Sequence, residues 1–264
     1  MIKVGVIGAG DIAYLHGEGV QSSSNAELYG IWNRTRSKAE EKASLFDTRV
    51  FDSPEDLIEA VDVVYVLTNM ETHHAYCMQA IEAGKHVLVE KPTAVTIEEI
   101  EEIKAFAHQK GVQVAPVHNY VYEAPVMRAK ELIESGKLGD LVSIYVLYNI
   151  HHPEEVAARY PGVIRQILTH HAYCTLYLVG QPQLVSCMKA TVNDGSVPQE
   201  NLAMVTMKMC NNALSHLCAS FASDDHAGDP WTFMIKVIGT KGATRYSYRD
   251  WVENTPAVSY THLT

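Results

Sequence analysis

The sequence predicts an α/β fold in two parts: a parallel sheet with helices on both faces, then an α+β domain built on an open, mainly antiparallel sheet. Three observations carry this expectation. Short β-branched runs alternate with amphipathic stretches through the first half of the 264 residues. A glycine turn separates the first run from the first amphipathic stretch. From about Gly139 onward the apolar runs lengthen and helical patterns become rare.

Residues 2–7, 27–32, 61–67 and 86–90 read as buried strands of the parallel sheet. Helical patterns fill the intervals at 11–20, 37–46, 72–83 and 96–109, the last with Ile97, Ile100, Ile103 and Phe106 at helical spacing. The boundary falls near 117, giving domains at 1–117 and 118–264. In the second, helices are expected at 124–135 and 163–179. Its strands are expected at 141–150, 183–192, 202–209, 213–221 and 232–239, all in one antiparallel sheet. Asn211-Asn212 and Thr240-Lys241-Gly242 stand where hairpin turns belong.

Composition narrows the function classes. The chain is 47% hydrophobic and 20% charged, a globular balance able to bury a core. No apolar run is long enough to span a bilayer or to read as a signal peptide, so a cytoplasmic protein without a membrane partner is expected. Five cysteines, at 77, 174, 187, 210 and 218, are odd in number and form no C-x-x-C pair, which argues for reduced thiols. A formal charge of −10 with no basic cluster repels phosphate backbones, which argues against nucleic acid. Small-molecule chemistry is the expectation that survives. The pentapeptide His-His-Ala-Tyr-Cys occurs at both 73–77 and 170–174. Nothing in the sequence brings the two copies together as four ligands, so no metal is expected.

Directly after the first strand comes Gly8-Ala9-Gly10-Asp11-Ile12-Ala13, a G-x-G-x-x-A pattern opening a helix. This is the Rossmann arrangement for a dinucleotide, NAD or NADP. The first glycine permits the tight turn, the second lets the backbone approach a pyrophosphate, and Ala13 allows close helix packing. The second strand ends in Trp32-Asn33-Arg34-Thr35, with no carboxylate for a ribose hydroxyl. Neutral Asn33 followed by the Arg34 cation favours the 2′-phosphate of NADP.

The run Ala83-Gly84-Lys85-His86-Val87-Leu88-Val89-Glu90-Lys91-Pro92 resembles the signature of the glucose-fructose oxidoreductase, inositol dehydrogenase and MocA (Gfo/Idh/MocA) family. The resemblance extends to Thr68-Asn69-Met70-Glu71-Thr72-His73, Ile133-Glu134-Ser135-Gly136-Lys137-Leu138-Gly139, Leu178-Val179-Gly180-Gln181-Pro182 and Val237-Ile238-Gly239-Thr240-Lys241-Gly242. It implies nicotinamide held beside Lys91, with Thr68, Asn69, His73 and Glu90 also near the nucleotide. Hydride transfer at an alcohol carbon needs a proton carrier and a donor that orients the oxygen. Lys91 suits the second role.

The family's acid–base histidine follows an aspartate by four residues, and the matching positions are Gln166 and His170. The histidine is retained and the aspartate is not. A further acidic position, three residues beyond the histidine, is Tyr173, and neighbouring His171 competes with His170 if the alignment shifts by one. Asn119, Tyr120, Tyr122 and His152 complete the expected substrate contacts. The family's arginine is missing from the segment starting at His118, and these hydrogen-bonding groups suit a neutral polyol better than an anion.

The resulting expectation is an NAD(P)-dependent dehydrogenase or reductase acting on a sugar, inositol or related polyol. Two alternatives stay open: a glycoside-cleaving enzyme that uses its nucleotide transiently, and a catalytically silent nucleotide-sensing homologue. The resemblance also implies a homo-oligomer, and a chain shorter than its relatives, with a non-native tail at 259–264.

Overall fold

The computed structural model describes residues 1–192, 199–222, 231–248 and 254–260. The chain divides into two compact units, Met1–Val117 and His118–Thr264.

In the first unit, strands β1 (Ile2–Ile7), β2 (Ala26–Trp32), β3 (Arg49–Val50), β4 (Val63–Val66), β5 (His86–Val89) and β6 (Val114–Pro116) alternate with helices α1 (Ile12–Gln21), α2 (Arg36–Phe46), α3 (Pro54–Ala60), α4 (His73–Glu82) and α5 (Ile97–Lys110). The strand order is β3-β2-β1-β4-β5-β6 and every pairing is parallel. That order is the Rossmann arrangement, in which ligands bind beyond the carboxyl ends of the strands. Val64, Val66, Val87 and Val89 pack on one side with Leu57, Cys77 and Ile81, while Val6 and Ile31 pack with Ala39, Ala43 and Phe46.

Local chemistry sets the helix ends. Thr96 and Glu99 form a reciprocal capping box before α5, and Gly111 closes the helix at φ 69°. Ser53 caps α3 by accepting from the Asp56 N–H, with Pro54 in the first helical turn. That Ser-Pro-acidic start is a helix signal in its own right. The short β3 and β6 were not expected, because two or three residues carry too little periodicity to read.

The second unit contains α6 (Ala124–Glu134), β7 (Leu141–Ile150), α7 (Glu154–Ala157), a π turn (Ile164–Leu168), α8 (Thr169–Val179) and strands β8 (Pro182–Ala190), β9 (Leu202–Met209), β10 (Leu214–Ser220), β11 (Trp231–Gly239), β12 (Ala243–Tyr248) and β13 (Asn254–Tyr260). Its sheet runs β13-β12-β11-β7-β10-β9-β8. The sheet is mainly antiparallel, as expected, but not wholly so as the strand runs alone suggested, because β7 and β10 pair in parallel at its centre. Strand alternation fixes which side chains face inward, not strand direction, and the helical crossover after β7 sets the direction. Ile144, Val146, Tyr148, Leu217, Phe233, Ile235 and Val237 form the inner face, packed with Val126, Leu132, Cys174 and Leu178.

Both expected hairpin turns are present. Asn212, at φ 68°, joins β9 to β10, and the Gly239 N–H donates to the Gly242 carbonyl between β11 and β12. The Gly136 to Gly139 loop meets the second hairpin: the Asp140 N–H donates to Thr240 Oγ1 at 3.0 Å, and a Cβ at Gly139 would lie 2.4 Å from that oxygen. Of the expected non-native tail, 261–264 lie outside the described residues. No helix among the described residues is long and apolar enough to cross a membrane.

Candidate active site

Because the first sheet is wholly parallel, the residues that follow its strands gather at one edge: Gly8 after β1, Asn33 and Arg34 after β2, Thr68 and Asn69 after β4, Glu90 and Lys91 after β5. Gly8 has φ 111°, and a Cβ there would lie 2.7 Å from the Leu67 carbonyl carbon and oxygen. Only glycine fits this turn. A Cβ at Gly10 would meet nothing within 4 Å, so that glycine answers no packing need within the chain. Open space beside Gly10, at the N-terminus of α1 where Asp11 is the N-cap and Ile12 the first helical residue, is what approach of a pyrophosphate requires. Ala13 is buried, as close helix packing demands. These residues fit a dinucleotide.

Asn33 braces the turn from β2. Its Oδ1 accepts the Ala9 N–H at 3.0 Å, and its Nδ2 donates to the Thr35 carbonyl at 2.9 Å. The two nearby arginines differ. Arg36 is held by Glu40 at 2.8 Å and by Asp52, whereas Arg34 forms no ion pair among the described residues.

The Lys91 segment is fixed from behind. Glu90 is 8% exposed, with one oxygen 3.0 Å from His16 Nε2 on α1 and the other accepting the Lys91 N–H at 2.9 Å. Burial pushes the Lys91 ammonium below the ordinary lysine range, against the opposing pull of Glu90. His16 was not singled out from sequence, where a histidine four residues into an amphipathic helix looks like any half-buried position. His73 is 1% exposed, with Nε2 2.8 Å from the Thr68 carbonyl and Nδ1 2.9 Å from that of Pro92. Expected at the nucleotide, His73 instead ties the loop after β4 to the loop after β5. Thr72 Oγ1 lies 2.8 Å from Thr68 Oγ1 and steadies the same loop.

In the second unit, His170, Tyr173, Asn119 and Tyr120 come together. His170 Nδ1 is 2.8 Å from the Tyr173 hydroxyl, which is 3.1 Å from Asn119 Oδ1 and accepts the Tyr120 N–H at 3.2 Å. The Tyr120 ring packs 4.7 Å from His170 and 4.9 Å from Phe233, and His118 stacks 4.2 Å from Tyr173. The expected helix at 163–179 is not continuous. Thr169 N–H reaches back five residues to the Ile164 carbonyl, a π turn that contains Gln166 and delivers His170 into the first turn of α8. Glu200 supports its start, its Oε1 accepting the Ile164 N–H at 3.3 Å.

Three expected substrate contacts lie elsewhere. His171 is fully buried near Tyr148 and Phe233, and neither ring nitrogen has a hydrogen-bond partner among the described residues. Burial drives its pKa down to about 3, so the rival of His170 is a neutral core residue. One step along a helix turns a side chain by about 100°, which puts neighbouring histidines in different surroundings. Tyr122 is 77% exposed and outside the cluster. His152 packs against Phe221 at 4.7 Å and Tyr160 at 5.6 Å, and burial with His151 beside it lowers its pKa. Among the described residues no group of three His, Cys, Asp or Glu side chains could hold a metal.

Residues 2–118 match the family described as "Oxidoreductase family, NAD-binding Rossmann fold", and residues 126–245 match the Gfo/Idh/MocA C-terminal domain. The chain belongs to the Gfo/Idh/MocA oxidoreductase family. Among its curated relatives is glucose-6-phosphate 3-dehydrogenase of Bacillus subtilis, 35% identical over 93% of this chain and 74% of that protein. The NADP(+)-dependent scyllo-inositol 2-dehydrogenase IolW of the same organism is 32% identical over 70% of this chain and 54% of its own length. Solved structures of similar fold include the WlbA dehydrogenase of Bordetella pertussis in complex with NADH and UDP-GlcNAcA. It has a TM-score of 0.85 at 21% identity, covering 97% of this chain and 82% of that one. The scyllo-inositol dehydrogenase of Lactobacillus casei has a TM-score of 0.83 at 20% identity, covering 93% and 74%.

Proposed function

We propose that this chain is an NADP-favouring oxidoreductase that moves a hydride to or from a hydroxyl-bearing carbon of a sugar, inositol or related polyol. The observation that carries the proposal is Lys91. It follows β5 at the carboxyl edge of the parallel sheet, its ammonium pKa is lowered by burial, and Glu90 and Pro92 fix its backbone from both sides. A partly buried ammonium there donates hydrogen bonds that orient a substrate oxygen and stabilise charge as it develops. Bound nicotinamide supplies the hydride chemistry. His170 carries the hydroxyl proton, at a ring whose Nδ1 is engaged by Tyr173.

The names of the relatives support a sugar or inositol as substrate. Asn119 and Tyr120 offer hydrogen bonds without fixed charge, which favours a neutral polyol. The glucose 6-phosphate relative makes a phosphorylated sugar the second reading. For the cofactor, no carboxylate among the described residues competes for the Arg34 guanidinium, so a 2′-phosphate finds a partner there.

The test is a nicotinamide fluorescence titration with NADPH and NADH, followed by turnover with NADP+ or NAD+ on scyllo-inositol, glucose and glucose 6-phosphate. NADPH is expected to bind about tenfold tighter than NADH, an advantage that Arg34→Ala removes, in line with about 1.5–3 kcal/mol for a charged hydrogen bond. Equal binding of both dinucleotides would refute the NADP part. Dinucleotide binding without turnover on any of the three substrates would refute the redox part.

A further inference from the structure

We propose that Tyr173 is a positioning residue that holds His170 in the Nδ1-protonated tautomer and so presents Nε2 as the proton-accepting nitrogen. The inference rests on the reading of His170 as the proton carrier, and deepens it. A histidine acting as a base must keep its proton on the nitrogen facing away from the substrate, and a partner at that nitrogen selects the tautomer. Gln166 stands where a carboxylate partner would be expected. The Tyr173 hydroxyl is at 2.8 Å from Nδ1.

Hydrogen-bond bookkeeping decides the direction. A phenol has one proton to give and two lone pairs to receive with. The Tyr173 oxygen accepts the Tyr120 backbone N–H at 3.2 Å, and its proton goes to Asn119 Oδ1 at 3.1 Å. With the phenol proton spent on Asn119, the contact to His170 forms only if Nδ1–H donates to the phenol oxygen. The opposite arrangement aims the proton at Nδ1 and sets two lone-pair-bearing oxygens against each other 3.1 Å apart. The chain therefore runs from the imidazole N–H to the phenol and on to the Asn119 carbonyl, with the Tyr120 amide locking the phenol in place. Packing supports the same geometry: Tyr120 lies against the His170 ring and His118 against the Tyr173 ring.

The device differs from an imidazole–carboxylate pair in being uncharged. A carboxylate stabilises imidazolium by charge as well as by hydrogen bonding; a phenol oxygen does so by hydrogen bonding alone. Tyr173→Phe keeps the ring and its packing and removes only the oxygen.

The test is long-range ¹H–¹⁵N correlation NMR on ¹⁵N-histidine protein, with the His170 signal assigned by its loss in His170→Asn. The expected pattern is Nδ1 protonated and Nε2 unprotonated near pH 8, with that preference lost in Tyr173→Phe. In Asn119→Ala the phenol proton loses its acceptor and turns to Nδ1, so the ring is expected to switch to the Nε2-protonated form. This second variant serves if Tyr173→Phe fails to fold. An Nε2-protonated ring in the parent protein, or the same pattern in parent and Tyr173→Phe, would overturn the proposal.

Kinetics separates this inference from the redox reading. Tyr173→Phe is expected to lower kcat about tenfold and to move the acid limb of kcat/KM for alcohol oxidation to lower pH by about half a unit to one unit. In a His170→Ala background it is expected to cost nothing further. An unchanged pH profile in an active Tyr173→Phe enzyme refutes the positioning role and leaves the dehydrogenase reading standing. The expected NMR pattern in a protein that oxidises no polyol supports the positioning role and refutes the dehydrogenase reading.

Discussion

In the N-terminal unit the functional geometry is made by backbone: a glycine at φ 111° pressed on the Leu67 carbonyl, a second with open space beside it, and a helix starting two residues later. In the C-terminal unit it is made by side chains: an imidazole, a phenol and an amide in hydrogen-bonded series, braced by the rings of Tyr120 and His118. A backbone site tolerates change nearly everywhere except at the residues that shape the turn. A side-chain site can exchange its chemistry while keeping its place in the fold, which is what the family resemblance implies for Gln166 and Tyr173.

The largest effect is expected at the packing behind the imidazole. Phe233 is 1% exposed and touches Tyr120, which in turn packs on His170. Phe233→Ala is expected to destabilise the protein by about 3–5 kcal/mol. Below its melting transition it should still bind dinucleotide while turnover drops. Parallel loss of both functions in calorimetry, binding and rate measurements would show that the two geometries do not rest on separate supports.

Next in size is the contrast between the two glycines. Gly8→Ala places a Cβ against backbone in a left-handed conformation, and is expected to cost about 1–3 kcal/mol and to abolish dinucleotide binding. Gly10→Ala meets no atom of the chain and is expected to leave stability within about 0.5 kcal/mol while weakening the dinucleotide at least tenfold. Thermal melts alongside fluorescence titrations check both. Undiminished binding by Gly10→Ala would remove the nucleotide from that turn.

At neutral pH the smallest effect separates the adjacent histidines. His171 is held neutral, its pKa pushed from 6.5 down to about 3 by burial. Between those values the unfolded chain binds a proton that the folded chain refuses. Stability is therefore full above pH 6.5 and falls as the pH drops toward 3, by at most about 1.4 kcal/mol per pH unit from this group. His171→Leu removes two unpartnered ring nitrogens, and is expected to flatten that acid dependence, leave stability at pH 8 unchanged or raised by up to about 1 kcal/mol, and spare turnover. A large loss of kcat at pH 8 would return His171 to the site.

These contrasts also account for how much could be read from the sequence. The nucleotide turn was legible because φ > 0 and close packing allow few residues, so Gly8, Gly10 and Ala13 carry their reasons in their identities. Lys91 and His170 were singled out through resemblance, not through local chemistry, and their roles are proposals. The Asn33 brace, the His16–Glu90 contact and the closed hydrogen-bond series at Tyr173 were not, since each joins residues 24 to 74 positions apart, or depends on which way a hydroxyl turns. The burial of His171 was hidden by the π turn, because one extra residue in a helical turn changes which neighbour faces the core without disturbing the apolar pattern. Likewise the parallel pairing of β7 with β10 leaves no mark on the alternation of either strand.

The most direct test of the account is the rate of nicotinamide reduction on the polyol panel by the parent protein and by Lys91→Ala, each first shown to bind dinucleotide. The expected result is turnover of at least one polyol by the parent and a loss of about 10²–10³-fold in kcat for the variant, with dinucleotide affinity within about threefold. Turnover by Lys91→Ala at the parental rate would contradict it.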